Sequence, residues 1–202
     1  HAVGLFDYEF GHQLQGLPDG DSAKPRATIQ LYRHCERMTR SEVDDWLASR
    51  SAGKPYAVTG LRPALDAERF AATIDDIHRY IEAGDTYQVN FTSPLHFDVH
   101  GDPTALYAAL RMRQPVPYGA LVMLPDGASV LSMSPELFVS HRQGKLTCRP
   151  MKGTAAGSGD PAQLAARAVA LKTSIKERSE NLMIVDLLRN DLGRIAVTGS
   201  VR

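Results

Sequence analysis

The sequence from residue 120 to residue 149 alternates short apolar runs with turn residues. The four runs are Ala120-Leu121-Val122-Met123-Leu124, Ala128-Ser129-Val130-Leu131-Ser132-Met133, Glu136-Leu137-Phe138-Val139-Ser140 and Lys145-Leu146-Thr147-Cys148-Arg149. Asp126-Gly127 and Gln143-Gly144 lie between runs, and such pairs favour the tight turns of antiparallel hairpins. We therefore expect four short strands that are joined as two hairpins.

Helix patterns flank these strands. Residues 103–113 predict one helix, with leucines recurring on the same face. A second helix is expected to begin at Asp160-Pro161, because aspartate can cap a helix and proline suits its first position. We expect this helix to continue, or to restart, through Glu180–Asp191 and to stop at Gly193. Helices that alternate with antiparallel hairpins predict an α+β chain.

The rest of the sequence carries weaker patterns. Its clearest helix opens at Asp66, repeats apolar residues at spacings of three and four, and ends at Gly84. The other expectations are strands over residues 2–10, 27–36, 87–92 and 195–198, a short helix over 41–47 capped by Ser41 or Thr39, and a surface connection over 51–63.

Composition excludes several classes of partner. Lys and Arg together number 23, as do Asp and Glu, so the positive surplus that nucleic acid requires is missing. The sequence has no run of about 18 apolar residues for a membrane helix, and its N-terminus has no signal-peptide pattern. We expect no nucleic-acid partner, no membrane partner and a cytoplasmic location. Cys35 and Cys148 are too few and too distant for a disulfide framework or a metal site. Because the chain opens on His1 and ends after a strand-like stretch, we also expect a part of a longer protein.

Lys152 lies in the run Cys148-Arg149-Pro150-Met151-Lys152-Gly153-Thr154. Pro150 fixes its own φ, and Gly153 allows a ligand to approach the backbone closely. An ordinary lysine amine is almost wholly protonated at neutral pH, so a nucleophilic role requires burial or a neighbouring cation. Arg149 is the candidate cation, and a solvated surface lysine is the alternative. A phosphate-binding loop does not fit, because its glycine precedes its lysine.

Two glutamates stand in apolar surroundings. Glu136 follows Pro135 at the start of a predicted strand, where apolar neighbours suit a general acid, and an outward-facing strand carboxylate is the alternative. Glu180 shares an otherwise apolar helix face with Asp191, and magnesium takes one or two carboxylates together with waters and substrate oxygens. For Glu180 and Asp191 the alternative is a surface ion pair with a nearby arginine, and Asp191 fits that alternative better.

Four segments resemble the chorismate-binding enzymes, in the same order. They are Ala83–Asn90, Pro117–Gly119 leading to Ser134–Phe138, Pro150–Thr154 and Glu180–Arg194. The resemblance implies an antiparallel-rich β-sandwich with outer helices, like anthranilate synthase component I, of which only part would be present. It also implies that residues 1–202 are part of one chorismate-binding domain, with 1–65 as the remnant of an N-terminal subdomain and 66–202 as the first half of the catalytic core.

Two positions decide the subclass that the resemblance implies. Anthranilate synthases carry Ala where Lys152 stands, whereas component I of aminodeoxychorismate synthase (para-aminobenzoate synthase) typically carries Lys. The isochorismate and salicylate synthases activate water with a lysine in the segment where this chain has Gln88. The chain is therefore most similar to the enzymes that aminate chorismate at C4 in folate biosynthesis.

The resemblance implies a role for each matched residue. Lys152 is expected to attack C2 of chorismate, and Glu136 is expected to protonate the leaving 4-hydroxyl. Ammonia from a glutamine amidotransferase subunit or fused domain then adds at C4. The other expected roles are Glu180 for Mg²⁺, Gly153, Thr154 and Gln88 for substrate, and Pro117, Tyr118 and Gly119 for a tryptophan pocket, with tryptophan as a candidate ligand.

Two other functions stay open. Anthranilate synthase component I, of tryptophan biosynthesis, shares the scaffold, and the fluorescence of its product would identify it. A non-catalytic fragment that binds a ligand or docks a glutaminase is the other alternative. Calorimetric titration with chorismate plus magnesium, compared with tryptophan alone, would separate this fragment from an enzyme.

Overall fold

The computed structural model describes residues 1–18, 26–157 and 159–202. The chain divides into two compact units, residues 1–46 and residues 47–202. The first unit contains β1 (Ala2–Phe6), α1 (Tyr8–Gln15) and β2 (Ala27–Leu31), and its two strands pair antiparallel. Helix α2 (Arg40–Ser51) contains the division between the units. The predicted subdivision at residue 65 stays a prediction.

The second unit contains most of the helices and strands. In chain order they are β3 (Tyr56–Pro63), α3 (Ala67–Ala83), β4 (Leu95–Gly101), α4 (Pro103–Arg113), β5 (Tyr118–Met123), β6 (Ser129–Ser134), β7 (Leu137–Arg142), β8 (Lys145–Arg149), α5 (Pro161–Thr173) and α6 (Ile175–Gly193). Among the helices in the described ranges, none combines the length and the apolar character of a membrane span. The cytoplasmic location that we expect from the sequence stays a prediction.

Thr39 and Glu42 cap the start of α2 reciprocally. The Thr39 N–H donates to Glu42 Oε2 at 2.6 Å, and the Glu42 N–H donates to Thr39 Oγ1 at 3.4 Å. This pair satisfies two backbone donors that no helical carbonyl can reach. The hydrogen bond from the Thr39 N–H, followed by one from the Thr39 hydroxyl, lowers the pKa of the Glu42 carboxyl. The structure therefore identifies Thr39 as the cap of the predicted helix.

Aspartates cap α3, α4 and α5, and a serine caps α6. The acceptors and donors are Asp66 with the Arg69 N–H, Asp102 with the Ala105 N–H, Asp160 with the Ala162 N–H and Ser174 with the Glu177 N–H, at 2.8 to 3.3 Å. Gly84 ends α3 with a φ of 81°, in the left-handed region that glycine favours. The predicted helix after residue 160 does restart, because the chain leaves the helical conformation at Ser174.

The two predicted hairpins are confirmed. Strand β5 pairs antiparallel with β6, and β7 pairs antiparallel with β8. Gln143 and Gly144 have φ angles of 50° and 76°, the two positive values that suit a tight hairpin turn between right-twisted strands. In the other hairpin the Asp126 carboxylate accepts a hydrogen bond from the Ala128 N–H and closes the turn.

The described strands form four separate antiparallel pairs: β1–β2, β3–β4, β5–β6 and β7–β8. Six helices accompany them, so a mixed chain with antiparallel strands is confirmed. None of these pairs joins another within the described residues. The sandwich of larger sheets therefore stays a prediction.

Two predicted strands are wrong, and local hydrogen bonds lie in both segments. Residues 87–92 lie outside the strands and are irregular, with the Thr86 hydroxyl bonded to the Gln88 carbonyl. Such local side-chain bonds compete with strand pairing. Residues 195–198 form turns, because the N–H groups of Ile195 and Ala196 both donate to the carbonyl of Leu192 and prolong the end of α6.

Two further sequence predictions are corrected. The surface connection expected over 51–63 contains β3, which pairs with β4 despite a register shift between Thr59 and Arg62. Gly60 lies in this irregular stretch with a φ of 62°, so the glycine marks a bulge rather than the end of a strand. In the first unit, the strand predicted over 2–10 ends at Phe6, and α1 follows it.

The buried side chains concentrate around α4. Thr104, Ala105, Leu106 and Tyr107 are consecutive and buried, and α4 contacts β3, β5 and β6. Val122 on β5 and Leu47 on α2 complete the buried residues of the described part. Lys54 Nζ lies 3.1 Å from Asp102 Oδ2 and so links the segment before β3 to the cap of α4.

Candidate functional site

The open end of the β7–β8 hairpin carries Glu136 and Lys152. Leu137 is opposite Arg149, so the residues just outside this pair continue side by side. Glu136 Oε1 accepts a hydrogen bond from the Met151 N–H at 3.1 Å. The hairpin therefore brings the predicted acid against the residue that precedes the predicted nucleophile, across 15 positions of sequence.

A bulge in β7 lies next to Glu136. Leu137 pairs with Arg149, whereas Ser140 pairs with Thr147, so two residues of β7 face one residue of β8 between these pairs. A bulge bends its strand and changes the direction of neighbouring side chains. It thus contributes to the direction in which Glu136 leaves the hairpin.

Ser134 fixes the backbone of Glu136. The Glu136 N–H donates to Ser134 Oγ at 3.3 Å, and the Ser134 hydroxyl is 3.1 Å from the Glu136 carbonyl oxygen, to which it donates. Ser134 is the last residue of β6 and is opposite Tyr118, the first residue of β5. Both hairpins therefore hold the backbone of Glu136.

Lys152 and Gly153 are half-buried, and Thr154 is exposed. Gly153 has a φ of 79°, a conformation that residues with a side chain rarely adopt. A Cβ atom at Gly153 would lie 2.5 Å from Glu177 Oε2, so the carboxylate of Glu177 occupies the place of a side chain. Glycine is required here by backbone conformation and by the close approach of α6.

Glu177 is a site residue that the sequence analysis missed. It lies one helical turn before Glu180 on α6, and residues three apart share a helix face. The spacing to Glu180 was the available signal, but only the fold brings Glu177 against Gly153. The Glu180 side chain is half-buried, with Lys176 Nζ 4.0 Å from its Oε1.

Glu177 and Glu180 are the carboxylates that could hold a magnesium ion. They form no larger ligand cluster, because the described chain brings no three His, Cys, Asp or Glu residues together in a metal-binding arrangement. Magnesium accepts one or two protein carboxylates and completes its shell with water and substrate oxygens. The donor set on α6 fits that requirement.

Gln88 forms its side-chain contacts within its own segment. Its Nε2 donates to Asn90 Oδ1 at 3.3 Å. Its Oε1 is buried and has no hydrogen-bond partner within the described part of the chain. A buried acceptor without a partner costs free energy, so this oxygen is available for a donor from a ligand. The hydrogen bonds of Gln88 do not connect it to the open end of the β7–β8 hairpin.

Pro117, Tyr118 and Gly119 run into the start of β5. Tyr118 is half-buried, and the other two are exposed. A Cβ atom at Gly119 would lie 2.8 Å from the Tyr107 hydroxyl oxygen. The Tyr107 hydroxyl therefore occupies the space beside Gly119. The pairing of Tyr118 with Ser134 connects this segment to Glu136.

A groove of about 590 Å³ lies along α6. It is lined by Ile175, Arg178, Ser179, Asn181, Leu182 and Val185. Helical periodicity places these residues largely on the other side of α6 from Glu177 and Glu180. The groove includes no candidate site residue, and we assign it no role.

The family described as chorismate binding enzyme matches residues 1–202. The chain belongs to this family. It is 36% identical over 222 residues to aminodeoxychorismate synthase component 1 of Klebsiella aerogenes, covering 100% of the chain and 49% of that protein. It is 43% identical over 215 residues to aminodeoxychorismate synthase of Streptomyces pristinaespiralis, covering 92% of the chain and 30% of that protein.

The family also includes relatives with another name. The chain is 31% identical over 242 residues to anthranilate synthase component 1 1 of Haloarcula marismortui, covering 99% of the chain and 49% of that protein. The chain thus spans about half the length of this relative and of the Klebsiella protein. Family membership is established, and the resemblance seen in the sequence is confirmed.

Proposed function

We propose that this chain carries the residues that aminate chorismate at C4 and yield 4-amino-4-deoxychorismate, the precursor of p-aminobenzoate in folate biosynthesis. One observation carries the proposal: Glu136 bonds to the backbone of Met151, beside Lys152. The acid thus lies at the hairpin end against the residue that precedes the lysine. Membership in the chorismate-binding family supports chorismate as the substrate, and the names of the relatives support amination.

The proposed reaction proceeds in two displacements. The neutral Lys152 amine forms a bond to C2 of chorismate, the two ring double bonds shift, and the C4–O bond breaks. Ammonia then forms a bond to C4, the double bonds shift back, and the C2–N bond to Lys152 breaks. Splitting one substitution into two steps through a covalent intermediate is the usual benefit of a nucleophilic side chain.

Glu136 is the proposed general acid of the first displacement. Hydroxide is a poor leaving group, so a proton delivered to the 4-oxygen lets it leave as water. Positioned proton transfer of this kind contributes about 10²- to 10⁴-fold to a rate. The hydrogen bond from the Met151 N–H occupies Oε1 and leaves Oε2 as the oxygen that can carry the transferred proton.

Glu180, together with Glu177, is proposed to hold Mg²⁺. The ion would neutralise the substrate carboxylate, which these glutamates would otherwise repel. Gly153, Thr154 and the unpartnered oxygen of Gln88 are proposed contacts to the substrate. Tryptophan at Pro117–Gly119, ammonia from a glutamine amidotransferase, and the family's two-sheet sandwich with outer helices belong to the same proposal.

An assay with chorismate, an ammonium salt and magnesium tests the proposal in the full-length natural protein. The expected product is 4-amino-4-deoxychorismate, identified by chromatography and mass. Lys152→Ala should lower kcat/KM by about 100-fold or more, because the covalent route is lost. Lys145→Ala, an exposed lysine of β8, should match the wild type. Equal activity of Lys152→Ala and wild type would exclude the lysine intermediate.

Magnesium is tested separately with the same assay. Chelation should abolish turnover, and added Mg²⁺ should restore it. Glu180→Ala should raise the Mg²⁺ concentration needed for half-maximal rate, whereas Glu68→Ala on the exposed face of α3 should not. An unchanged magnesium requirement in Glu180→Ala would remove Glu180 from the proposed metal site.

Anthranilate formation is the second candidate function, because a relative that covers 99% of the chain bears the name anthranilate synthase. That reaction adds ammonia at C2, loses the 4-hydroxyl as water, and then eliminates pyruvate. The same assay mixture distinguishes the two products, since anthranilate is fluorescent and aminodeoxychorismate is not aromatic. Anthranilate as the only product would replace the first candidate with the second.

A further inference from the structure

Arg167 of α5 is bonded to the loop that follows Lys152. Its guanidinium donates from Nη1 to the Ala156 carbonyl at 2.5 Å and to the Gly157 carbonyl at 2.9 Å. Residues 151–157 contain no helix or strand, so no regular backbone pairing holds this segment. Arg167 is half-buried.

Three contacts link the segment 151–157 to three different elements: hydrogen bonds at its two ends and a close approach at Gly153. Glu136, just before β7, bonds to the Met151 N–H. Glu177 of α6 lies against Gly153. Arg167 of α5 bonds to the last two residues. Lys152 and Thr154 lie between the first link and the third, so their positions depend on both.

Arginine suits this third link. Its guanidinium is always charged, and charge-assisted hydrogen bonds are stronger than neutral ones. Two carbonyls of consecutive residues turned towards one donor group also fix the direction of the chain there. Within the described residues Arg167 bonds to backbone oxygens. A residue bonded in this way acts on the reaction through the loop and does not need to touch the substrate.

We propose that Arg167 is a positioning residue that holds residues 156–157 and thereby keeps Lys152 and Thr154 in place for the reaction. This inference rests on the proposed function. If the loop moves when the link is lost, the amine of Lys152 loses its alignment with C2 of the substrate. Small misplacements of reacting groups reduce rates by up to about 100-fold without a comparable change in substrate affinity.

Three variants of the full-length natural protein test the proposal. Arg167→Met removes both hydrogen bonds, and Arg167→Lys keeps the charge on a side chain that ends one bond short of Nη1. Lys172→Met removes a positive charge from the same helix five residues later and serves as the control. The readouts are kcat and KM for chorismate at saturating ammonia, and the rate of limited cleavage by elastase, which cuts after small residues such as Ala155 and Ala156.

Arg167→Met is expected to lower kcat by about 10- to 100-fold and to change KM by less than about 3-fold. Elastase should cut the 155–157 segment faster in this variant, Arg167→Lys should be intermediate in both readouts, and Lys172→Met should match the wild type. An unchanged kcat in Arg167→Met, or a lower kcat without faster cleavage, would overturn the proposal. If Arg167→Met does not fold, Arg167→Lys decides by the same two readouts.

The cleavage rate separates this inference from the proposed function. If the wild-type protein does not aminate chorismate, the proposed function fails, and unchanged elastase cleavage of Arg167→Met would still show that Arg167 does not hold the loop. If the wild type is active and Arg167→Met is equally active, the proposed function stands and the positioning role fails.

Discussion

Helix α4 buries four consecutive residues, Thr104–Tyr107, whereas α5 and α6 bury none of the side chains that the structure describes. We call α4 with β5 and β6 the packed region, and residues 150–157 with α5 and α6 the loop region. The packed region is held by apolar contacts that are lost only when the elements separate. The loop region is held by hydrogen bonds of Glu136 and Arg167 with backbone groups, and Glu177 lies close to Gly153.

The packed region and the loop region therefore contribute to different properties, the first to folding stability and the second to the proposed reaction. Burial of apolar area gives the packed region its share of the folding free energy. Polar links contribute less to stability, but they fix the direction of individual backbone groups. A substitution in the packed region should therefore change the free energy of unfolding, and a substitution at a link of the loop region should change the reaction.

The largest expected effect comes from removing the proton donor at Glu136 while its hydrogen bond to the Met151 N–H is kept. Glu136→Gln keeps an oxygen that can accept the Met151 N–H but cannot donate the proton of a carboxylic acid. We expect kcat to fall by about 10²- to 10⁴-fold, with little change in thermal stability. Glu68→Gln, an exposed glutamate in the first turn of α3, is the control for the loss of a carboxylate. Turnover of Glu136→Gln at the wild-type rate would contradict the acid role.

The next effect compares two leucines, one from each region. Leu106 in α4 is 8% exposed and Leu182 in α6 is 63% exposed. Leu106→Ala should lower the free energy of unfolding by about 2–5 kcal/mol through lost burial and a cavity. Leu182→Ala should cost less than about 0.5 kcal/mol, as at other exposed positions. Denaturant titration measures both, and equal costs would erase the distinction between the regions.

A smaller effect concerns the contact between Gly119 and Tyr107. Gly119→Ala places a methyl group against the hydroxyl of the buried Tyr107, and added volume against a packed side chain costs about 1–3 kcal/mol. In the Tyr107→Phe background the hydroxyl is gone, so the same substitution should cost less. A double-mutant cycle of unfolding free energies measures the difference. A zero coupling energy would mean that the hydroxyl does not occupy that space.

The smallest expected effect is a pH-dependent change in the thermal midpoint. The hydrogen bond from the Ala105 N–H, assisted by Lys54, holds the pKa of the Asp102 carboxyl below its ordinary value, although burial acts in the opposite direction. A depressed folded pKa contributes stability that is present above the unfolded pKa and is lost as the pH falls through the folded pKa. The thermal midpoint of wild type should exceed that of Asp102→Asn at neutral pH, and the two should converge in acid.

Lys54→Met sharpens the same prediction. It removes the cation 3.1 Å from Asp102 but leaves the Ala105 hydrogen bond intact. Its thermal midpoint should therefore lie between those of wild type and Asp102→Asn at neutral pH. The difference in thermal midpoint between wild type and Asp102→Asn could also stay constant from neutral to acidic pH. That result would show that the charge of Asp102 does not stabilise the packed region.

Local signals predicted much of the fold. Capping residues located the starts of α3 and α5, recurring leucines located α4, and turn residues located both hairpins. These signals depend on neighbours in sequence. The strand β3 was missed, since its bulge at Gly60 is stabilised by a partner strand more than 30 residues away. The false strand at 87–92 had a suitable pattern of residues but no partner strand.

The candidate site was predictable in composition and not in arrangement. Lys152 and Glu136 were selected by their surroundings in sequence, and the resemblance to a family supplied their roles. The approach of Glu136 to the residue before Lys152 depends on the register of β7 and β8. That register includes a bulge, which no residue in the stretch predicts. Glu177 and Arg167 were missed because each lies against backbone that is distant in sequence.

The most direct test of the account is the covalent state of Lys152 during turnover. The full-length protein is mixed with chorismate and magnesium without ammonia, quenched with acid, and digested for peptide mass analysis. The account predicts an increase equal to the mass of chorismate less one water on the peptide that contains Lys152, and a much smaller yield in Glu136→Gln. Amination of chorismate by a protein whose Lys152 peptide never carries this mass would contradict the account.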